Sequence, residues 1–146
     1  MEITNTTGVS ENVSWTMQKG SFVTHFTVTI LMILLFRTFF SSNLSWQLTV
    51  LSYNIVTFIF FHWLVGDPFD HNYCDYTFWE QMNEQLPKTS SIIFLCAFPV
   101  VLFAICNHVV QWGNLFLPCV FSLCLVVVPK LGFMHRKRLF GMRRKA

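Results

Sequence analysis

The chain has 146 residues, a formal net charge of +3, 53% hydrophobic residues and only 12% charged residues. Soluble domains carry about 25% charged residues, so this composition excludes an ordinary water-soluble core with a charged surface. Seventeen phenylalanines reinforce the reading of a single small membrane domain, for which no nucleic-acid partner is expected.

The first 18 residues are polar, contain Glu2 and Glu11 and lack a basic start, so no cleavable signal peptide is expected. A membrane helix needs about 20 apolar residues. Phe22 to Phe40 is the first such run, holding His25 and Arg37, and Ser41-Ser42-Asn43 is a short turn. Leu44 to Val65 is the second run. A polar stretch then opens at Gly66 and closes at Ser91. Within it Thr77-x-x-Glu80 matches a capping box, which starts a helix, and Pro87 bounds it. Tyr76, Trp79, Met82 and Leu86 fall on one side of that helix, and Glu80, Asn83, Glu84 and Lys88 largely on the other. The expectation is a short amphipathic helix lying at the membrane surface.

Ile92 to Val128 is long enough for two short spans, with the break placed near Gln111-Trp112-Gly113-Asn114. Pro99 and Pro118 lie inside these runs, and each should free a carbonyl four residues earlier and kink its helix. Trp46, Trp63 and Trp112 sit near span ends, where amphipathic rings prefer to be. The fold class expected is therefore all-α: four transmembrane helices and one short cytoplasmic interfacial helix. Residues 1–21 form a leading segment, 22–128 the membrane domain with its loop 66–91, and 129–146 a basic tail.

Lys130, Arg136, Lys137, Arg138, Arg143, Arg144 and Lys145 follow Pro129 with no acid among them, so the tail is expected in the cytoplasm. Four crossings then put the leading segment and loop 66–91 there too. Asn5-Thr6-Thr7, Asn12-Val13-Ser14 and Asn43-Leu44-Ser45 match the glycan acceptor pattern and are read as chance. The five cysteines lack CxxC spacing; four lie in apolar runs, as buried thiols would. No cofactor or metal is expected, and Glu80 and Glu84 have no nucleophile beside them. Histidines His25 and His62 near the same span ends would suit a haem or metal protein, a lesser alternative lacking further ligands. The five lysines lie in tails or short loops, unlike a Schiff-base lysine in a large catalytic domain, so the chain is not read as an enzyme.

Several stretches taken together resemble the Orm/ORMDL (orosomucoid-like) family. They are Phe61-His62-x-x-x-Gly66-x-Pro68-Phe69, Trp79-Glu80-Gln81-Met82, Val128-Pro129-Lys130-Leu131 and His135-x-x-Arg138-Leu139-Phe140-Gly141. Trp46-x-Leu48-Thr49, Asn54, Pro99, and Asn12 followed by Lys19-Gly20-x-Phe22 also fit. Residues 12 to 143 are covered in order. The family's basic pair after Trp-Glu-Gln-Met is Ile92-Ile93 here, its lysine before Gly-x-Pro-Phe is Val65, its histidine before the tryptophan is Phe78, and a Tyr-Asp pair reads Trp112-Gly113. The loop from Asp70 to Trp79 is also about four residues shorter than usual.

The resemblance implies a multi-pass endoplasmic-reticulum protein that binds serine palmitoyltransferase and restrains it when ceramide is plentiful. It implies a ceramide site at Asn12, with Phe60 and His62 as candidate neighbours on the second span, in a bilayer of ordinary membrane lipids. Trp79, Glu80, Gln81, Met82, Pro129, Lys130, Arg138 and Phe140 become candidate contacts with the synthase subunits. Ceramide offers one amide and two hydroxyls, which one Asn side chain can both donate to and accept from. His62 alone reads more simply as a hydrogen bond to a neighbouring helix end. A purely structural assembly subunit, without lipid sensing, is the main alternative.

Overall fold

A computed structural model describes residues 9–86 and 89–131. Six α-helices occur among them: α1 (Glu11–Ser14), α2 (Lys19–Arg37), α3 (Ser42–Phe58), α4 (Phe78–Gln85), α5 (Ser90–Val109) and α6 (Phe116–Val127). A 3-10 turn (Trp15–Met17) joins α1 to α2, a π-turn (Ile59–Trp63) continues α3, and a 3-10 turn (Val128–Lys130) continues α6. Among the described residues the extended pairing is a single bridge between Val65 and Thr77.

Three helices are long and apolar enough to cross a membrane: Lys19–Arg37, Ser42–Trp63 and Ser90–Val109. The fourth apolar element, Phe116–Lys130, is shorter. At 1.5 Å per residue it reaches only about 22 Å, against roughly 30 Å of hydrocarbon. Helix α2 starts at Lys19, ahead of the apolar run, because the 3-10 turn feeds directly into it. It stops at Arg37, and Thr38 to Phe40 close it as a turn through bonds to the Leu35 and Phe36 carbonyls.

Helix α3 is the hub, packing on α2, α5 and α6. Its buried face is mostly polar: Ser45, Gln47, Thr49, Asn54 and Thr57 are inside, beside Val50 and Tyr53. Lipid is as apolar as leucine, so membrane helices gain from close approach and hydrogen bonds instead of water exclusion. Asn54 Nδ2 donates to Ser122 Oγ at 3.0 Å, and Cys119 Sγ donates to the Gln47 carbonyl at 3.5 Å, tying α3 to α6. Helix α2 is peripheral and turns Val23, Phe26, Ile30, Leu31, Leu34 and Leu35 outward. Exposed apolar rows of this kind fit a membrane protein.

Two ends of the bundle are distinct. At one, Asn43 Nδ2 donates to the Gln111 carbonyl and Gln111 N–H donates back to Asn43 Oδ1, both at 2.8 Å. This reciprocal amide pair joins the α2–α3 turn to the α5–α6 turn, and the acceptor-like Asn43 is thereby a structural clamp. At the other end meet the start of α2, the end of α3, α4, the start of α5 and Lys130.

Some expectations change. Pro118 lies in the first turn of α6, where its missing N–H is one of the unbonded donors any helix start has, so it makes no mid-span break. Cys124 is exposed, not buried. Glu80, expected on the polar side of its helix, is buried, and so is Gln81. Glu80 folds back on its own helix start, and Gln81 points into the adjoining loop.

Candidate functional site

The site is built on α4. Thr77 caps it: Glu80 N–H donates to Thr77 Oγ1 at 3.3 Å, and Thr77 N–H donates to Glu80 Oε2 at 2.8 Å. This capping box satisfies two orphan donors and fixes the helix direction. The bridge beside it, with Phe78 N–H on the Leu64 carbonyl and Gly66 N–H on the Tyr76 carbonyl, holds α4 against the end of α3. Trp79 and Met82 then pack with Phe61, Phe78, Leu86, Leu95 and Val13 in one buried cluster.

Gln81 organises the loop. Its Oε1 accepts from Asp67 N–H at 2.9 Å, and its Nε2 donates to the Tyr73 carbonyl at 2.8 Å and the Asp67 carbonyl at 3.3 Å. Gly66 is where the two segments touch. A Cβ there would meet Gln81 Oε1 at 2.5 Å and Phe78 Cα at 3.0 Å. Only glycine permits this approach.

The leading segment docks on that platform. Ser10 N–H and Oγ–H both donate to Gln85 Oε1, at 2.9 and 3.0 Å, and Gln85 Nε2 donates to Asp70 Oδ2 at 3.3 Å. Val13 is fully buried in the cluster, and Ser91 Oγ donates to the Thr16 carbonyl at 2.8 Å. Asn12 Nδ2 donates to the Gly66 carbonyl at 3.2 Å while the residue stays exposed. An asparagine has two amide hydrogens and an acceptor oxygen, so one contact leaves capacity for another molecule.

The candidates therefore fall into groups. Phe60 is 43% exposed, and its ring lies 5.0 Å from Phe78, the residue whose Cα closes on Gly66. Asn12 thus touches Gly66, and Phe60 touches Phe78, the residue against which Gly66 closes. His62 lies on Phe58 and Trp79, with ring centroids at 5.7 and 5.8 Å. Its Nε2 is buried without a hydrogen-bond partner among the described residues, so this nitrogen does not make the expected bond to a helix end. His25 bonds Tyr53 through Nδ1 at 2.9 Å, a different environment from that of His62. Among the described residues no group of three or more His, Cys, Asp or Glu could hold a metal.

Trp79, Glu80, Gln81 and Met82 are all buried within the chain. A partner would feel them through the surface they shape. Pro129 is half-buried in the turn after α6, and Lys130 is buried. Arg138 and Phe140 lie outside the described residues. Sequence reasoning missed Ser10, Gln81 and Gln85 as organisers of the site. A glutamine whose partners are backbone atoms of a distant loop gives no composition signal of burial.

A family model described as the ORMDL family matches residues 10–138. An uncharacterized protein of Schizosaccharomyces pombe is 36% identical over 139 residues, covering 91% of this chain and 75% of that protein. Protein ORM2 of Saccharomyces cerevisiae is 38% identical over 134 residues, covering 88% of this chain but only 62% of its own length. ORM1-like protein 2 of Homo sapiens is 36% identical over 118 residues, with 77% of each chain aligned.

Proposed function

Because this chain belongs to the ORMDL family, we propose that it is a regulatory subunit of sphingolipid synthesis, which binds serine palmitoyltransferase in the endoplasmic-reticulum membrane and restrains it when ceramide accumulates. One observation carries the reading. The leading segment is held on α4 with Asn12 exposed at the Gly66 carbonyl, and the half-exposed Phe60 ring packs on Phe78, the neighbour of Gly66 across the chain. A ceramide head would meet the Asn12 amide there, and its chains would lie along Phe60. Only the difference in ceramide affinity between a restraining and a permissive arrangement does regulatory work.

The same packing supports a topology with both ends of the chain on one side. Val13, Trp79 and Leu95 share a cluster, and Lys130 bonds the Leu95 carbonyl, so head, middle helix and tail base share one end of the bundle. Four crossings with that end in the cytoplasm agree with the basic stretch after Pro129. The short last element needs local thinning of the bilayer or a partner along its side.

The test is reconstitution of the purified chain with the synthase, followed by ceramide titration of wild type and Asn12→Ala. A polar contact at this depth is worth about 0.6–2 kcal/mol, so the half-inhibitory ceramide concentration should rise roughly 3- to 30-fold with the complex intact. An unchanged ceramide response in an intact complex leaves a structural subunit. Failure to copurify with the synthase removes the whole reading.

A further inference from the structure

Pro99 lies inside α5 and has no N–H, so the Leu95 carbonyl four residues earlier lacks its helical donor. Lys130 fills that place. Its Nζ donates to the Leu95 carbonyl at 2.7 Å across 35 residues of sequence. The same ammonium stands 5.5 Å from the Trp79 ring centroid and 5.8 Å from that of Phe61. Lys130 is only 9% exposed. A cation so buried is tolerated where a carbonyl dipole and π faces replace its water. The two rings belong to the cluster that buries Val13 of the leading segment.

We propose that Lys130 is a latch, through which the segment leaving α6 holds the leading segment on α4. The ammonium clamps the proline break of α5 to the Phe61 and Trp79 rings, and those rings form the seat of Val13. A pull on the basic tail that withdraws the ammonium would loosen the segment that presents Asn12. The coupling is internal to the chain and does not rest on the identity of the lipid or the synthase.

The test is amide hydrogen exchange on the full-length protein in detergent micelles. Lys130→Met should speed exchange over Ser10–Met17 about tenfold or more, as expected for losing a buried charged hydrogen bond. Lys130→Arg should keep the protection, because a guanidinium can donate to the carbonyl and lie over the rings. The Gln111 amide at the far end should not change. Adding Pro99→Ala to Lys130→Met returns a donor to the Leu95 carbonyl. It should therefore recover thermal stability while leaving the Ser10–Met17 amides fast. Exchange within about twofold of wild type in Lys130→Met overturns the latch. So does full recovery of Ser10–Met17 protection in the double variant, since the helix break alone would then govern it. Should Lys130→Met not purify, the double variant is read against Pro99→Ala with the same expectation and the same refutation.

Discussion

Gly66 shows how much one missing side chain decides. The nearest atoms to a Cβ at this position are Gln81 Oε1 and Cδ, at 2.5 and 2.8 Å, with Phe78 Cα next at 3.0 Å. In Gly66→Ala the Gln81 amide must move, and it carries three bonds to the Asp67–Tyr73 loop. The expected cost is about 1–3 kcal/mol, read as a lower thermal midpoint of the purified protein. An Ala variant with an unchanged midpoint would mean that the loop re-forms without Gln81. At this scale the sequence spoke unevenly. Gly66, Asn12 and Gln81 stood out by the motifs they belong to, whereas Gln85 and the inward role of Gln81 did not, because a glutamine's partners are set by which backbone atoms the loop brings within reach.

Helix α4 is the element that carries the site, and its start was legible. The Thr77-x-x-Glu80 spacing announces a capping box, and both of its hydrogen bonds are present. Removing the cap in Thr77→Ala should cost about 1 kcal/mol. That corresponds to about fivefold faster amide exchange at Glu80, with the long helices unaffected. Unchanged exchange there would show that the Val65–Thr77 bridge, not the cap, holds the helix start. Two other elements were not legible. The π-turn Ile59–Trp63 closes with Leu64 N–H on the Ile59 carbonyl at 3.0 Å, and nothing in Ile59-Phe60-Phe61-His62-Trp63 marks it. Pro118 resembled Pro99 as a mid-run proline, yet one opens a helix and the other breaks one. The difference lies in where each helix begins, which for α6 is set by the turn after Val110.

At the scale of the whole molecule, the packing predicts which surfaces share a compartment. Cys74 is exposed in the loop beside α4, and Asn114 is exposed in the α5–α6 turn at the opposite end. In sealed microsomes a membrane-impermeant maleimide should label Cys74 from outside. It should reach a cysteine placed at Asn114 only after the membrane is opened, with Cys74 and Cys124 replaced by serine. Labelling of both positions from one side would contradict four crossings. The amino-acid sequence by itself determined that the chain is helical and apolar enough for a membrane, where the breaks between helices fall to within a few residues, and which family's motifs it carries. Those properties depend on composition and local spacing, which are written along the chain. Only the tertiary structure decided that the leading segment is seated on α4, that Trp79 to Met82 face inward, and that Lys130 completes the carbonyl left open by Pro99. Each of these joins residues tens of positions apart. Backbone groups without local partners must find distant ones once water is excluded, and which ones they find depends on how the helices pack.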